Sequence, residues 1–487
     1  MMYKLRPYQK KAIDEFDSLR SSKSRLLMVL PTGAGKTVIF SSIAKRFIED
    51  NKRVLILAHR VELAEQTAKT LSRLGLSPTE YNAKIKKTSR LTVGMVETAK
   101  RSTGLLNRFD LVIIDEAHRG EFNNAFSFIP QHTLILGVTA TPIAAKIDEP
   151  LKNYYHDLII GPDIPQLIAE GNLCSVVTYA PKGVNVGKLS SQMGEYTDQS
   201  QIDALSSGIL HDGIIDCYRS IGQKKAICFC VDVAHSKATA EKFVSDGINA
   251  RHVDGTMGKV ERDGIVNWFR STDGAVICNC DILTAGFDEE SIEVVIFNRI
   301  TQSLPLWLQA QGRGSRPIKG KKDKFYVIDA GGNYIEHGTW DEHRDWEKTF
   351  YHPRKKRERM EIEETPVPSS CKPCKVCFAL IPSSARSCRV CGASLVEVVI
   401  DNGYKQVVAK NPLLSMSTSR MTVSQLVERA KIGSRDGRPY KFGWCKHQIL
   451  ARCRTYEQVL QELTELQQLI GEANDYAIYW TNRWQKG

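Results

Sequence analysis

The sequence predicts an α/β protein with two tandem parallel-sheet domains, followed by a small cysteine-rich metal motif and a short helical C-terminal module. Strand-length apolar runs alternate with helical patterns in the first third of the chain, and the pattern restarts after Gly161-Pro162. Five cysteines then fall between Cys371 and Cys391. Continuous apolar strands that alternate with helices are typical of parallel sheets covered on both faces.

These patterns divide the chain into predicted segments. They are a first domain (1–161), a second domain (162–350), a charged and proline-rich linker (351–370), the cysteine motif (371–396) and a basic helical module (397–487).

Apolar or β-branched runs mark the expected strands. They begin at Leu26, Val54, Leu111 and Leu134 in the first domain and at Ala226, Val276, Val294 and Phe325 in the second. Helices are expected over 61–74 and 234–244. In the tail, Thr422 and Thr455 each begin a capping box, which predicts two further helices.

The composition is that of a globular protein: of 487 residues, 42% are hydrophobic and 25% are charged. No apolar run approaches the ~18 residues that span a bilayer, and the first residues lack an apolar signal region. We therefore expect a cytoplasmic protein without a membrane partner. In a reducing compartment, the thirteen cysteines favour metal binding over disulfides.

The net charge of +12 indicates a polyanionic partner. The surplus is concentrated between Cys371 and Arg454, where 15 Lys/Arg stand against 4 Asp/Glu. A solvated basic surface that keeps the protein soluble is the alternative explanation.

A glycine-rich loop between a strand and a helix predicts a nucleotide site. This phosphate loop comprises Pro31, Thr32, Gly33, Ala34, Gly35, Lys36 and Thr37. Its glycines let backbone N–H groups wrap phosphates at a helix N-terminus. Lys36 is expected to neutralise the β- and γ-phosphates of ATP, and Thr37 to hold Mg²⁺. Leu30 departs from the strict pattern, which has glycine at that position.

Two acidic residues end a buried strand of the same domain. Asp115 is expected to bind Mg²⁺, mostly through water, and Glu116 to orient and deprotonate the attacking water. Taken alone, such a pair is more often a helix cap with a surface charge. Because a phosphate loop is present, the catalytic interpretation is favoured.

Phosphoryl transfer also needs cations that stabilise the developing charge, and a neighbouring domain can supply them. In Gln309-Ala310-Gln311-Gly312-Arg313-Gly314-Ser315-Arg316, two arginines stand three residues apart. Arg313 and Arg316 are therefore candidate catalytic residues. A solvated arginine pair is the alternative explanation.

These motifs resemble those of superfamily 2 helicases and translocases of the DEAH-box type, over roughly residues 1 to 350. The resemblance implies two RecA-like domains, with Gln9 reading the adenine and Asp115-Glu116-Ala117-His118 as the DEAH motif. The family form tolerates a residue other than glycine at the position of Leu30. The resemblance also implies that Gly286 and Asp288 lie at the ATP cleft.

The same resemblance implies residues that link the ATP site to the strand. The coupling residues are His118, Thr139, Thr141 and Gln309. The expected nucleic-acid contacts are His59, Arg60, Gly94, Thr98 and Thr284.

Two CxxC pairs, ten residues apart, predict a structural metal site. Cys374, Cys377, Cys388 and Cys391 supply four thiolates, which suit tetrahedral Zn²⁺. An iron–sulfur cluster is the alternative. Cys371 forms another CxxC with Cys374, but that choice leaves Cys377 over beside the site. Because the motif lies outside both walls of the ATP site, zinc removal is expected to weaken DNA binding before basal ATP turnover.

The order of two helicase domains, a four-cysteine motif and a helical tail resembles RadD-type proteins of bacteria and related phage-encoded helicases. That resemblance implies DNA repair, recombination or replication, in the bacterial cytoplasm or a phage-infected host. It also implies a single-strand-binding, replication or repair protein as a further partner.

Residues 440–444, Tyr-Lys-Phe-Gly-Trp, resemble a short element of that group, so Lys441 and Trp444 are candidate DNA contacts. Aromatic residues among cations form platforms for single strands. A small helical core built on Tyr440, Phe442 and Trp444 is an equally favoured alternative.

The sequence therefore predicts an ATP-dependent DNA helicase or translocase that uses ATP, Mg²⁺ and Zn²⁺ and binds single-stranded or branched DNA. Two alternatives stay open. RNA is the first, because contacts to the phosphate backbone discriminate poorly between the two nucleic acids. The second is a nucleic-acid-binding scaffold with a vestigial ATPase. A vestigial site is expected to have lost Lys36, Glu116 or an arginine, and all are present.

Overall fold

The computed structural model divides the chain into two compact units, Met1–Leu395 and Val396–Gly487. The structure describes residues 5–102, 104–144, 146, 149–182, 189–192, 195–284, 287, 289–353, 371–395, 421–432, 443–453, 455–470, 477 and 481–482. Each unit has a hydrophobic core of its own.

The first domain contains a seven-stranded sheet. Its strands are β1 (Arg25–Val29), β2 (Val54–Ala58), β3 (Thr79–Tyr81), β4 (Leu91–Met95), β5 (Leu111–Asp115), β6 (Leu134–Thr139) and β7 (Asp157–Ile160). All pairings are parallel, in the order β3-β4-β2-β5-β6-β1-β7. Strands β2 and β5 are buried along their whole length, which explains why their sequences are apolar up to Asp115 at the end of β5.

Helices cover this sheet. They are α1 (Pro7–Leu19), α2 (Lys36–Glu49), α3 (Val61–Arg73) and α4 (Val96–Lys100), and α5 (Ile164–Ala169) follows β7 in the chain. Proline occupies the first position of α1, where the missing N–H has no helical partner to lose. Helix α2 begins directly at the end of the phosphate loop, so its N-terminal N–H groups face the loop.

The second domain repeats this plan with a six-stranded sheet. Its strands and hairpin are β8 (Ser175–Tyr179), β9 (Ser191–Gln192), β10 (Glu195–Tyr196), β11 (Ala226–Cys230), β12 (Ala250–Val253), β13 (Val276–Asn279), β14 (Val294–Asn298) and β15 (Lys324–Asp329). The sheet is parallel, in the order β12-β13-β11-β14-β15-β8, and β9 and β10 pair separately. The eight strands expected from the sequence are confirmed, and so are both RecA-like domains.

The helices of this domain include one that returns to the first domain. They are α6 (Asp198–Leu205), α7 (Gly208–Ser220), α8 (Val233–Ser245), α9 (Lys259–Ser271), α10 (Leu304–Gln311), α11 (Tyr334–His337) and α12 (Trp346–Tyr351). In α12, Phe350 is buried in the core of the first domain, and the hydroxyl of Tyr351 donates to Asp157 Oδ1 at 2.9 Å. The proposed boundaries at 161 and 350 stay predictions.

The cysteine module, residues 371–395, contains the antiparallel strands β16 (Cys371–Pro373) and β17 (Leu380–Pro382). It lies in the same compact unit as the two sheets. Ala379 of this module forms a bridge with Tyr179 at the end of β8, so the module extends the edge of the second sheet.

The second unit contains α13 (Val423–Ile432), α14 (Gly443–Arg452) and α15 (Tyr456–Ile470), packed around a small apolar core. Both predicted capping boxes begin helices: Thr422 Oγ1 accepts from Gln425 N at 3.2 Å, and Thr455 Oγ1 accepts from Gln458 N at 3.3 Å. Helix α14 was not predicted. Among the helices of the described residues, none is long and apolar enough to cross a membrane.

Candidate active site and metal centre

The phosphate loop runs from the end of β1 to the start of α2, as predicted. Gly33 and Gly35 have φ angles of +88° and +80°, in the left-handed region that other residues adopt with strain. A Cβ at Gly33 would lie 2.9 Å from Leu173 Cδ2 and Ser315 Oγ, and one at Gly35 would lie 2.7 Å from Gln9 Nε2. The backbone conformation therefore favours glycine at both positions, and a side chain there would displace its neighbours.

Helix α1 holds this loop from one side. Gln9 Nε2 donates to the carbonyl oxygen of Ala34 at 3.2 Å, and Gln9 Oε1 accepts from Arg6 N at 3.0 Å. The hydroxyl of Tyr8 donates to the same Ala34 oxygen at 2.8 Å. Sequence reasoning gave Tyr8 no role of its own, and its place beside Gln9 was the available signal.

Charged groups converge behind the loop. Burial lowers the pKa of Lys36, while the charges of Glu116 and Asp115 oppose that shift. Burial, reinforced by Glu116, raises the pKa of Asp115 to about 7. For Glu116 burial acts in the same direction, but the charge of Lys36, followed by those of His118 and His59, lowers its pKa below the ordinary value. Glu116 is therefore a carboxylate at neutral pH and able to accept a proton.

The backbone at Glu116 is also unusual. Its φ of +53° is rare for a residue with a side chain, and such conformations cluster at functional sites. The N–H of Glu116 donates to Asp115 Oδ1 at 3.0 Å. This turn at the end of β5 places the two carboxylates side by side.

The four predicted coupling residues form one network around Glu116. His118 Nδ1 lies 2.9 Å from Thr139 Oγ1 and 3.5 Å from Glu116 Oε2. Thr139 Oγ1 donates to the carbonyl oxygen of Thr141 at 2.9 Å. From the second domain, Gln309 Nε2 donates to Glu116 Oε2 at 3.3 Å. The network thus joins the acidic pair to both walls of the cleft.

The two arginines have different surroundings. The guanidinium of Arg313 is buried and donates to the carbonyl oxygen of Thr284 at 2.7 and 3.0 Å and to that of Phe287 at 2.7 Å. It therefore ties the segment after β13 to the end of α10. Arg316 is half-buried, and both arginines lower the pKa of Lys36 through their charges. The second wall predicted from the sequence thus lies within electrostatic range of the first.

The loop of the second domain that carries the arginines touches the phosphate loop directly. A Cβ added at Gly312 would lie 2.5 Å from Thr32 Cγ2. Larger residues at position 312 would therefore push the two walls apart. We call residues 312–316 the arginine turn.

The predicted nucleic-acid contacts lie on several different elements of the two domains. Gly94 is in β4, Thr98 is in α4, and the buried hydroxyl of Thr284 has no hydrogen-bond partner among the described residues. Arg60 Nη1 donates across the cleft to the carbonyl oxygen of Asp281 at 3.2 Å. Burial, followed by the charge of Arg119, lowers the pKa of His59 to about 4.

Several residues predicted to bind ATP or nucleic acid lie outside the part of the chain that the structure describes. Gly286, Asp288 and Lys441 lie outside the described residues, as do Tyr440 and Phe442. Trp444 is in α14, but its side chain is not described. Their roles stay predictions.

The four predicted cysteines form one compact group, and Cys371 lies outside it. Their sulfur atoms all lie within 4.8 Å of one another, with Cys374 Sγ 3.8 Å from Cys391 Sγ and Cys377 Sγ 3.7 Å from Cys388 Sγ. Tetrahedral zinc, with bonds of ~2.3 Å, requires sulfur atoms about 3.8 Å apart, so the group fits this metal.

The backbone supports thiolates at this centre. The N–H groups of Val376 and Val390 donate to Cys374 Sγ and Cys388 Sγ, each at 3.4 Å. Burial raises the pKa of Cys374, but hydrogen bonds from the N–H groups of Cys377 and Val376, followed by those of the Cys388 and Cys391 side chains, outweigh it and lower the pKa to about 7. Burial raises the pKa of the neighbouring Cys377 thiol. The equivalent bonds in the two halves indicate a paired knuckle.

Comparison with protein families matches both domains. Residues 2–144 match the family described as type III restriction enzyme, res subunit, and residues 209–317 match the helicase conserved C-terminal domain. The two matches contain the phosphate loop, the acidic pair and the arginine turn.

Individual proteins resemble the same region. A 51.5 kDa protein of a Lactococcus phage (isolate 7-9) is 33% identical over 356 residues, which cover 72% of this chain and 74% of the phage protein. IRC3 of Saccharomyces cerevisiae, whose name marks it as a candidate ATP-dependent helicase, is 30% identical over 67% of this chain and 51% of that protein. The chain thus spans about half the length of the yeast relative.

Among solved structures, a fragment of a candidate HsdR subunit of a type I restriction enzyme from Vibrio vulnificus YJ016 is similar, with a TM-score of 0.55. It is 22% identical and covers 69% of this chain and 65% of its own. At that identity the likeness concerns the fold alone.

Proposed function

Because this chain belongs to the superfamily 2 helicases, which hydrolyse ATP and act on nucleic acid, we propose that it is an ATP-driven DNA helicase or translocase of the DEAH-box type. The observation that carries the proposal is the contact of Gln309 with Glu116 across the cleft. It joins the base that activates water to the domain that carries the arginines. A vestigial ATPase has no need of such a contact.

In this proposal ATP binds between the two domains. Lys36 neutralises its phosphates, and Glu116, kept ionised by Lys36, accepts a proton from the attacking water. Thr37 and Asp115 would hold Mg²⁺, which neutralises charge on the phosphates. Arg316 stabilises the charge that develops during transfer. Since ATP touches both walls, it favours the closed cleft, and hydrolysis removes that preference.

Two observations support DNA as the track. The first domain matches a restriction-enzyme family, and the chain between Cys371 and Arg454 has a basic surplus. RNA is the competing track, because some curated relatives are described as RNA helicases, including eIF4A of Debaryomyces hansenii at 23% identity. We further propose roles in DNA repair, recombination or replication, as in RadD-type proteins, with zinc in the cysteine module.

The proposal is tested by ATP turnover without nucleic acid and with single-stranded, duplex and forked DNA, and single-stranded RNA of matched length. We expect stimulation by one or more DNA forms that exceeds stimulation by RNA. Stimulation by RNA alone would contradict the choice of DNA, and no turnover with any ligand would contradict the motor itself.

Gln309→Ala is expected to lower nucleic-acid-stimulated turnover by about tenfold, because a hydrogen bond to a charged group is lost across the cleft. Basal turnover should fall less, since Glu116 keeps its contact with His118. Gln199→Ala, at an exposed glutamine of α6, is the matched control. Equal losses of basal and stimulated turnover would argue against a coupling role for Gln309.

A further inference from the structure

Strand β8 connects the cysteine module to the arginine turn. It is the edge strand of the second sheet, paired with β15 along one side. One end of β8 meets the turn between the two arginines, and the other meets the cysteine module. From 174 to 180 the strand spans about 20 Å.

At its first end, β8 fixes the backbone beside Arg316. The N–H of Cys174 donates to the carbonyl oxygen of Ser315 at 2.8 Å. Ser315 is fully buried, and its hydroxyl donates to the carbonyl oxygen of Gly312 at 2.9 Å. A displacement of β8 at this end therefore displaces the residue that precedes Arg316.

At its other end, β8 is held by a segment of the cysteine module that lies between the second ligand, Cys377, and β17. The N–H of Ala180 donates to the carbonyl oxygen of Phe378 at 2.9 Å, and Ala379 forms a bridge with Tyr179. Ala379 is fully buried in the second core of the domain, and Phe378 and Cys377 pack against that core. The metal ligand Cys377 thus directly precedes Phe378 and Ala379, the two residues that contact β8.

We propose that the cysteine module is a positioning element for the arginine turn, and that its metal acts on ATP turnover through β8. The inference rests on the proposed function. Four bound thiolates hold residues 378–380 in a fixed loop, and that loop holds the edge of the sheet. The module is accordingly part of the ATP-driven motor.

This changes the expectation drawn from the sequence, in which zinc removal weakens DNA binding before basal turnover. If the module positions the turn, basal turnover falls together with metal content, with or without DNA. The effect lies in kcat, because an arginine that stabilises the transition state contributes little to the binding of ATP itself.

The test uses Ala379→Asp in the full chain, which places a charge at the buried docking point and leaves all four cysteines. We expect a zinc content of one per chain and kcat about tenfold lower, with KM for ATP changed much less. Hydrogen exchange, measured without nucleic acid, should speed up in 174–180 and in 312–316. Ala379→Ser, which keeps the small side chain, should match the unaltered protein in both kcat and hydrogen exchange.

Ser384→Asp, at an exposed position of the same module, is the matched control and should leave kcat and exchange unchanged. Faster exchange limited to 174–180, with kcat unchanged, would overturn the inference. If Ala379→Asp does not fold, zinc is removed from the unaltered protein by a chelator and then restored. Reversible faster exchange in 312–316 supports the proposal, and exchange confined to 371–395 overturns it. Absence of ATP turnover in the unaltered protein would contradict the proposed function, whereas the exchange data test the connection through β8 independently.

Discussion

Arg316→Ala is expected to lower the maximal rate of ATP turnover by about 10³-fold or more, because a cation from the second domain stabilises charge that appears only in the transition state. Binding of ATP should change little. Arg316 is half-buried, and its charge acts on Lys36 across the cleft. Steady-state kinetics at saturating nucleic acid, with a separate measurement of nucleotide affinity, provides the check.

Arg313→Ala should behave differently from Arg316→Ala. The guanidinium of Arg313 satisfies the carbonyl oxygens of Thr284 and Phe287, and both lose their donor in the variant. We therefore expect a loss of about 2 kcal/mol in the free energy of unfolding together with the loss of turnover. Thermal melting should therefore show a lower melting temperature for Arg313→Ala than for Arg316→Ala.

Lys319→Ala, at an exposed lysine three residues beyond Arg316, is the charge-matched control and should retain both turnover and stability. If Arg316→Ala kept full turnover while Arg313→Ala lost it without loss of stability, the two roles would have to be exchanged.

Lys36→Ala is expected to lower ATP turnover by about 10²- to 10³-fold, because a preorganised cation at the phosphates is removed. Lys36 also lowers the pKa of Glu116, so its loss makes the base more readily protonated. The stability that Glu116 gains from its lowered pKa is present above its unfolded pKa and is lost as the pH falls through its folded value. Since the pKa of Glu116 rises in the variant, we expect kcat and KM to change and the acid limb of the pH profile of turnover to move to higher pH.

The control for Lys36→Ala is Lys45→Ala, which removes a partly exposed lysine from the same helix, where it pairs with Glu49 at 3.9 Å. An exposed pair of this kind contributes little stability. Nucleic-acid-stimulated turnover that survived Lys36→Ala would remove the basis for an ATP-driven motor.

The elements that could be predicted are those whose signals are local. The phosphate loop, the strand before it and the helix after it follow from seven consecutive residues and their flanks. The buried strands have continuous apolar runs because helices cover both faces of each sheet. By contrast, β12 is half-exposed at a sheet edge, and β3 has three residues, so neither stood out from the surrounding sequence.

The cysteine centre lies between these two cases. Spacing alone predicts the set of four ligands, because two CxxC turns present their sulfur atoms to one point. The exclusion of Cys371 agrees with the geometry, in which that residue belongs to β16. The docking of the module against β8 could not be predicted from the sequence, because the docking residue Ala379 is a small apolar residue with no distinctive pattern around it.

By itself, the sequence determined the two α/β domains, the phosphate loop, the acidic pair, the arginine pair and the four-cysteine group, since each depends on residues close together in the chain. The tertiary structure decided how they meet. Gln309 reaches Glu116 over a separation of 193 residues, and Cys174 meets Ser315 through one backbone hydrogen bond. Such contacts arise from the packing of two sheets and their loops, and residue spacing carries no record of which distant atoms that packing brings together.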